Sequence, residues 1–221
     1  MEQISGSRVV GTAAPTSRLI YYFGKRLIDV AGALVGLILL APVMLGIALA
    51  ILIDTGLPII YRSQRLGRYG APIVVLKFRT MRDGSHHHLA ELLTADEERR
   101  LEYELTRKLR GDPRRTRVGV FLRRTSLDEL PQLWNVLVGE MSLVGPRPYF
   151  ADELVGRPEA AELLSVRPGI TGMWQVNGRA DRTFSERLVL ESGYVRRRGF
   201  RLDLLIVLRT FRAVFTGQGA Y

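Results

Sequence analysis

One long apolar segment constrains this chain more than any other feature. From Leu27 to Ile53 it reads LIDVAGALVGLILLAPVMLGIALAILI, and its only charged residue is Asp29. A helix of roughly 20 apolar residues is enough to span a bilayer core, so this segment is long enough to do so. It is too long for the apolar region of a signal peptide, and 26 residues precede it. We therefore expect a membrane helix and not a cleaved leader.

Basic residues flank this segment on both sides, and the flanks decide how it could sit in a membrane. They are Arg18, Lys25 and Arg26 before it, and Arg62, Arg65 and Arg68 after it. Basic clusters favour the cytoplasmic side, and a single span cannot place both of them there. Pro42, at the middle of the segment, breaks the helical hydrogen-bond ladder. Two arrangements stay open on the pattern alone: a helix that kinks at Pro42 and re-enters the same face, and a tilted span with a proline kink.

The amino-acid composition limits the kinds of molecule that the protein could bind and the chemistry that it could use. The chain has 221 residues with 32 Lys and Arg against 22 acids, a net charge of +10, and no cysteine. Disulfides and thiol chemistry are excluded, and the basic excess suits nucleic acid, a phospholipid surface or a phosphorylated small molecule. We expect three segments: a flexible tail over residues 1–20, the membrane helix over 21–55, and a catalytic domain over 56–221.

Periodicity in the remaining chain predicts an α+β, mainly helical fold. Short apolar runs at 59–61 and 73–78 predict strands, and leucine spacing predicts an amphipathic helix over 87–110. Three further helices are predicted at 130–138, 150–165 and 201–215, with a turn at 168–172. The last helix has an apolar face with arginines outside it, which is typical of a helix on a membrane surface or of a core helix with a basic exterior.

The stretch SLDELPQL, residues 126–133, places two acids side by side among apolar residues. Ser126 and Glu129 match a capping box, which would make Glu129 structural. Pro131 makes that helix start awkward, since its missing N–H and its ring are unwelcome inside the helix. The other interpretation is a nucleophile, Asp128, beside a metal ligand, Glu129.

Several basic residues could complement these acids in phosphoryl transfer. That reaction needs positive charge around the phosphate oxygens and often a divalent ion on a carboxylate. Three arginines could clamp a diphosphate with two-pronged geometry: Arg123, Arg124 and Arg147. Lys77 and Arg79 are further candidates.

At this point the sequence resembles the bacterial sugar transferases, the monotopic phosphoglycosyl transferases, over about residues 24–215. The specific block is SLDELPQLWNVLVGEMSLVGPRP, residues 126–148, joined by KFRTM at 77–81 and PGITGMWQVNGR at 168–179. The residues in these motifs most resemble those of the short members of the family, which start exopolysaccharide assembly. Ala41 and Glu191 depart from the family pattern, where Ser and Asp are more usual.

The resemblance implies a reaction and a set of roles. A hexose-1-phosphate, galactose or glucose, would move from a UDP-hexose to undecaprenyl phosphate with release of UMP. Asp128 would be the nucleophile that forms a covalent phospho-sugar intermediate, and Glu129 would hold Mg²⁺. Phosphates would lie near Lys77, Arg123 and Arg147, and the nucleotide or sugar near Gln175, Gly178 and Arg179.

The resemblance also implies a re-entrant helix that breaks at Pro42, interfacial amphipathic helices, and a catalytic domain on the cytoplasmic face of the bacterial inner membrane. Membrane lipids are then partners, nucleic acid is not, and a homodimer is left open. Three rivals remain: a membrane-tethered nucleic-acid binder, a non-catalytic scaffold, and a transferase in which Asp128 acts only as a base or metal ligand.

Overall fold

The apolar segment forms one helix. The structure, a computed structural model, describes residues 15–82, 84–106, 109, 111–178 and 183–216. Helix α1, Pro15–Thr55, has 41 residues and carries Pro42 in its interior without an interruption. The break predicted at Pro42 therefore does not divide it into two helices. Of the tail predicted for residues 1–20, residues 15–20 are helical and residues 1–14 lie outside the described residues. Among the described residues, α1 alone is long and apolar enough to cross a membrane.

An antiparallel hairpin follows α1 and confirms both predicted strands. Strand β1, Ile60–Leu66, pairs with β2, Pro72–Phe78, and Tyr61 lies opposite Lys77. Between the strands, Tyr69 adopts φ 59°, a left-handed conformation that is uncommon for a residue other than glycine. The hairpin carries Lys77 and the residues just after it towards the middle of the domain.

The helix predicted over 87–110 is wrong as a single element. The structure has two helices, α2, Ser85–Ala95, and α3, Glu97–Thr106. They are separated by Asp96, whose Oδ1 accepts a hydrogen bond from the backbone N–H of Arg99 at 3.1 Å. Aspartate is a good helix cap, and here it ends one helix and begins the next.

The central part of the domain surrounds a short 3₁₀ turn. Helix α4, Arg117–Thr125, leads into the 3₁₀ turn Leu127–Glu129, and α5, Gln132–Val138, confirms the helix predicted over 130–138. Strand β3, Ser142–Val144, then pairs in parallel with β4, Gly169–Thr171. The turn predicted at 168–172 is thus mostly a strand.

The helix predicted over 150–165 is also wrong. The segment contains a 3₁₀ turn, Asp152–Leu154, and one turn of helix, α6, Ala160–Leu163. Gly156 has φ 69°, and Pro158 follows it, so a continuous helix cannot pass through this stretch.

Two long helices complete the fold. Helix α7, Phe184–Arg197, starts with a capping box between Thr183 and Glu186, and α8, Phe200–Thr216, confirms the helix predicted over 201–215. Their inner faces pack with the loop after β3 into the largest cluster of buried side chains, which includes Tyr149, Leu188, Tyr194 and Ile206.

Helix α1 lies against the domain along most of its length. Near its start, Gly24 approaches the Phe200 ring of α8, and near its middle Gly36 approaches Leu133 of α5. Near its end, Ile51 is buried with Phe78 and Leu122. The opposite face of α1 is exposed and apolar at Leu19, Ile20, Phe23, Leu27, Ile28, Leu34, Val35, Ile38, Leu39, Leu45, Leu49 and Ile53. One face of the helix is therefore part of the domain core, and the other presents a continuous apolar surface.

Candidate active site

A broad cleft of about 1440 Å³ opens between the hairpin, the 3₁₀ turn after α4 and the loop that follows β3. Its walls bring together side chains from distant parts of the chain, including Lys77, Arg123, Asp128, Glu129, Arg147 and Gln175. Such a convergence of charged groups in a broad concave site makes it the candidate active site.

The two adjacent acids lie on a tight turn at the floor of this cleft. Ser126 ends α4 in a left-handed conformation, φ 58°, and the chain then turns through Leu127–Glu129. The Ser126 side chain makes no capping hydrogen bond to this turn. The capping-box interpretation of Ser126 and Glu129 is therefore wrong.

Asp128 is a buried carboxyl with an unusual electrostatic balance. Only 7% of the residue is exposed. The pKa of Asp128 is raised to about 6, with burial as the main cause; the Lys77 charge opposes the rise and the Glu129 charge adds to it. Within the described part of the chain, no other side chain donates a hydrogen bond to its carboxylate. Asp128 is thus poorly solvated yet open to the cleft.

Lys77 and Arg123 bring positive charge next to these acids. The Lys77 ammonium donates to Glu129 Oε1 at 2.6 Å, with both side chains about one third exposed. Arg123, in the last turn of α4, is fixed by a bond of 3.0 Å from its Nε to the Thr80 hydroxyl. Two of the predicted phosphate ligands thus stand beside the acid pair.

Arg79 is placed differently from the other predicted phosphate ligands. Its guanidinium donates to the backbone carbonyl oxygens of Thr55, Gly56 and Leu57, at 2.7 to 2.9 Å. These are carbonyls at and just beyond the C-terminal end of α1, which has no basic residue in its own last turn. A cation at that end satisfies orphan carbonyls and complements the helix dipole. Arg79 lines the cleft, but its contacts are those of a cap for α1.

Arg147 lies on a loop whose path depends on glycine. A Cβ on Gly145 would sit 2.6 Å from the Arg167 carbonyl oxygen, and one on Gly169 would sit 2.1 Å from the Gly145 nitrogen. The backbones of β3 and β4 therefore approach more closely than any side chain permits. This packing fixes the start of Gly145-Pro146-Arg147-Pro148, the loop that presents Arg147 to the cleft.

The Arg147 side chain reaches the cleft with hydrogen-bonding capacity to spare. Its backbone N–H donates to Glu191 Oε1 at 3.1 Å, and its guanidinium carbon lies 5.8 Å from the Trp174 ring centre. Its Nη1 is buried and has no partner among the described residues. An unmet buried donor of this kind costs free energy unless a ligand satisfies it, so Arg147 is suited to bind an anion.

A buried hydrogen-bond network lies behind Arg147, and its residues are not among those predicted for the site. Glu191 is fully buried, and burial raises its pKa to about 7. It accepts hydrogen bonds from the Tyr149 hydroxyl and the Arg147 backbone. Arg187, also fully buried, lies 4.1 Å from the Trp174 ring centre. The available signal was an acid and an arginine on the apolar face of one helix, since buried charges are rare unless they are paired.

Three predicted residues remain: Gln175, Gly178 and Arg179. Gln175 lines the cleft, and its Nε2 donates to the Ile170 carbonyl at 3.4 Å. Gly178 adopts φ 103°, a conformation that favours glycine. Arg179 lies outside the described residues, so its predicted role near the nucleotide or sugar is untested.

The donor set fits Mg²⁺ only in one mode. Among the described residues, three or more acidic, histidine or cysteine side chains nowhere come together to form a metal cage. Mg²⁺, however, commonly binds one or two carboxylates and completes its shell with water and substrate phosphates. Glu129, one third exposed at the cleft beside Asp128, is suited to that mode.

Comparison with known proteins shows which family the chain is similar to. A family model described as bacterial sugar transferase matches residues 20–217. The chain is 44% identical over 200 residues to the undecaprenyl-phosphate galactose phosphotransferase of Salmonella typhimurium, covering 90% of this chain and 42% of that protein. It is 42% identical over 198 residues to the exopolysaccharide production protein ExoY of Sinorhizobium fredii, covering 89% and 88%.

A third relative is the UDP-glucose:undecaprenyl-phosphate glucose-1-phosphate transferase of Caulobacter vibrioides, 38% identical over 219 residues, with 94% of this chain and 75% of that protein covered. The chain spans about two fifths of the length of the Salmonella relative and most of the ExoY protein. The family match includes the hairpin, the acid pair and the Arg147 loop, and the chain belongs to the bacterial sugar transferase family.

Proposed function

We propose that this protein transfers hexose-1-phosphate, galactose or glucose, from a UDP-hexose to undecaprenyl phosphate and releases UMP, as the first membrane step of exopolysaccharide assembly. The observation that carries the proposal is Asp128, a buried carboxylate next to Lys77 and Arg123 to which no side chain of the described residues donates a hydrogen bond. The names of the relatives support the substrate class, since they include both galactose and glucose transferases that act on undecaprenyl phosphate.

In the first half of the reaction, an Asp128 oxygen attacks the sugar-side phosphorus of the UDP-hexose. A bond forms between that oxygen and the phosphorus, and the bond from the phosphorus to the bridging oxygen of the diphosphate breaks. UMP leaves with the electron pair, and the hexose-phosphate stays on Asp128 as an acyl phosphate. Lys77, Arg123 and Arg147 reduce the repulsion between an anionic nucleophile and an anionic diphosphate.

In the second half, an oxygen of the lipid phosphate attacks the same phosphorus. The bond from phosphorus to the Asp128 oxygen breaks, the carboxylate is restored, and the lipid carries a diphosphate-linked hexose. The same positive side chains stabilise the charge in both halves. Burial favours this use of Asp128, because a weakly solvated carboxylate is not shielded from the phosphorus by bound water.

Glu129 would hold Mg²⁺ together with the substrate phosphates. When bound, the ion would supply positive charge to the diphosphate and favour departure of UMP. Without it, Glu129 pairs with Lys77, so that this ammonium balances the carboxylate.

We also propose that the protein is monotopic in the bacterial inner membrane, with both ends of α1 on the cytoplasmic face. Pro42 would lie at the deepest point of a re-entrant helix that bends there, as helices do at proline, while its hydrogen-bonded turns stay continuous. Contacts between α1 and the domain support this placement, since they occur near its start, middle and end. A helix that crossed the bilayer would carry its far end away from the domain. Exposed apolar side chains on helices that touch α1 would extend the membrane face: Val120, Phe121, Trp134, Val138, Leu204 and Leu208.

The placement can be tested with single cysteines, because the chain has none of its own. Ser17→Cys and Arg62→Cys would report the two flanks of α1. In spheroplasts a membrane-impermeant maleimide should label neither, and in inside-out vesicles it should label both. Labelling of one position from each side would show a full span and contradict the proposal.

The reaction can be tested by trapping the intermediate. Detergent-solubilised protein would receive Mg²⁺ and UDP-hexose, labelled in the sugar or in the uridine, without polyprenyl phosphate. We expect retained sugar label and the mass increment of a hexose-phosphate on the wild type and on Asp96→Asn, a control outside the cleft, but not on Asp128→Asn. If the wild type retains neither label while added lipid phosphate still yields product, transfer is direct and Asp128 has another role.

A further inference from the structure

A second basic cluster lies beside the N-terminal half of α1, away from the cleft. It surrounds a small pocket of about 30 Å³ and shares no lining residue with the cleft. Five basic side chains line it: Lys25, Arg26, Arg68, Arg167 and Arg198. They come from α1, the β1–β2 turn, the segment before β4 and the α7–α8 junction, so the fold gathers them from four separate places.

The acids nearby do not balance this charge. Asp203 forms an ion pair with Lys25 at 2.8 Å. Asp29 accepts hydrogen bonds from the Leu143 backbone N–H and the Ser142 hydroxyl. The five basic groups still exceed these two acids by three charges. In Arg167, burial lowers the guanidinium pKa, and the charges of Arg26 and Arg68 lower it further. The cluster therefore repels itself, and a bound anion would relieve that repulsion.

Several donors in the cluster are held in place but not used up. Arg167 donates from Nε to the Gly139 carbonyl at 2.7 Å, which fixes its plane, and its two terminal nitrogens have no partner among the described residues. Arg68 is fixed by two bonds, from its Nε to the Ser165 carbonyl at 3.1 Å and from its Nη2 to the Tyr69 hydroxyl at 2.5 Å. Its Nη1 is the terminal nitrogen that has no partner among the described residues. An arginine anchored through Nε presents its outer edge in the geometry that phosphate oxygens accept.

The surroundings of the pocket are those of a lipid boundary. On α1, Phe23 and Leu27 follow the lining residues Tyr22 and Arg26 by one position each, and they are 76% and 63% exposed. Tyr69, next to Arg68, is 75% exposed and held in its left-handed turn. Tyrosines and arginines beside exposed apolar side chains are the usual composition at the depth of lipid headgroups.

We propose that this pocket binds a phosphate group, that of an anionic phospholipid headgroup, with the acyl chains lying along Phe23 and Leu27. The phosphate would accept hydrogen bonds from Arg68 and Arg167, and Lys25, Arg26 and Arg198 would add charge. A volume of this size admits a few water-sized groups, so it takes a phosphate and excludes a nucleotide or a sugar. The site is independent of the transfer reaction and would anchor the start of α1 at the headgroup level.

The test measures lipid binding and not activity. Purified protein in a neutral detergent would be titrated with dioleoylphosphatidylglycerol, dioleoylphosphatidylcholine or inorganic phosphate, and bound molecules would be read by native mass spectrometry. The wild type should bind phosphatidylglycerol in preference to phosphatidylcholine. Arg68→Gln/Arg167→Gln should bind phosphatidylglycerol at least about tenfold more weakly, from the loss of charge-assisted hydrogen bonds.

The matched control is Arg201→Gln/Arg212→Gln, which removes two exposed arginines of α8 that line neither pocket. It should bind phosphatidylglycerol like the wild type, and thermal unfolding in neutral detergent would check that both double variants are folded. If the pocket variant unfolds, Arg68→Lys/Arg167→Lys replaces it, with charge kept and the two-pronged geometry lost. Equal weakening in pocket and control variants would mean unspecific surface charge, and binding of inorganic phosphate alone would mean a free anion; either result overturns the proposal.

Discussion

Two aspartates in this protein are buried to nearly the same extent and are treated in opposite ways. Asp128 is 7% exposed and Asp203 is 9% exposed. Asp203 accepts hydrogen bonds from the Tyr21 hydroxyl at 2.9 Å, from Lys25 at 2.8 Å and from the Tyr194 hydroxyl at 2.8 Å. Asp128 accepts none from another side chain in the described part of the chain.

The difference shows that burial alone does not identify a reactive acid. At Asp203 the cost of removing a carboxylate from water is offset by three donors, so its lone pairs are committed and the residue ties α1 to α7 and α8. At Asp128 the charges of Lys77 and Arg123 offset the cost only in part, and the remainder appears as a raised pKa. A carboxylate left in that state keeps its oxygens available for a substrate.

The largest expected contrast is in turnover. Asp128→Asn should lower transfer of hexose-phosphate by about 10³-fold or more, because the nucleophile is lost. Asp203→Asn should stay within a few-fold of the wild type per folded molecule. Release of UMP from UDP-hexose, with polyprenyl phosphate present, would measure both. Similar losses in the two variants would mean that Asp128, like Asp203, is mainly structural.

Stability should change in the reverse order. The folded pKa of Asp128 lies above its unfolded value, so its stabilising contribution is present below about pH 4 and is lost as the pH rises through about 6. Asp128→Asn should therefore be more stable than the wild type at pH 7, by about 1–3 kcal/mol. Asp203→Asn should be less stable by about 3 kcal/mol, since Lys25 loses its buried partner.

Denaturant unfolding in one detergent at pH 7 and at pH 4.5 would measure these changes. The gain in Asp128→Asn should shrink at the lower pH, where the wild-type carboxyl is protonated. A destabilised Asp128→Asn at pH 7 would show that the carboxylate is satisfied in a way that the structure does not indicate.

Arg147 and Arg79 extend the same contrast to arginines. Arg147→Gln should reduce kcat/KM for UDP-hexose by about 10- to 100-fold, the effect of losing a hydrogen bond to a charged ligand. Arg79→Gln should mainly lower the unfolding free energy, because its bonds go to backbone carbonyls at the end of α1. Steady-state kinetics and thermal unfolding of both variants would separate the two effects. A larger loss of kcat/KM in Arg79→Gln than in Arg147→Gln would mean that Arg79 binds the substrate phosphates.

The smallest effect is on pH dependence. With the pKa of Asp128 at about 6, the ionised fraction falls about tenfold per pH unit below that value. Single-turnover formation of the intermediate should therefore rise with pH up to about 6 and then level. Glu191, with a pKa of about 7, is a second titrating group. The Glu191→Gln variant should keep the inflection of the rate near pH 6. If the inflection is absent from this variant, the group that titrates is Glu191 and not Asp128.

Sequence predicted best what is encoded in adjacent residues. Asp128 and Glu129 were found because two acids and a proline stand in eight residues, and the hairpin and α8 follow from their local apolar periodicity. The capping role of Arg79 could not be predicted, since it depends on where the hairpin meets the end of α1. The parallel pairing of β3 with β4 could not be predicted either, because strands of three residues are too short to show an alternating apolar pattern.

Helix α1 also sets an order of events during synthesis. It leaves the ribosome before the domain does, yet Asp29 is bonded to a residue 114 positions later and Lys25 to one 178 positions later. At about 5–20 residues per second, those partners follow after about 6 to 36 seconds. Throughout that interval the domain that packs against one face of α1 is absent. With the membrane placement that we propose, the nascent chain would reach the bilayer before the domain folds. A ribosome that is late to the bilayer would expose α1 to aggregation, and the protein's yield in a cell should depend on the delivery machinery more than on the stability of the finished fold.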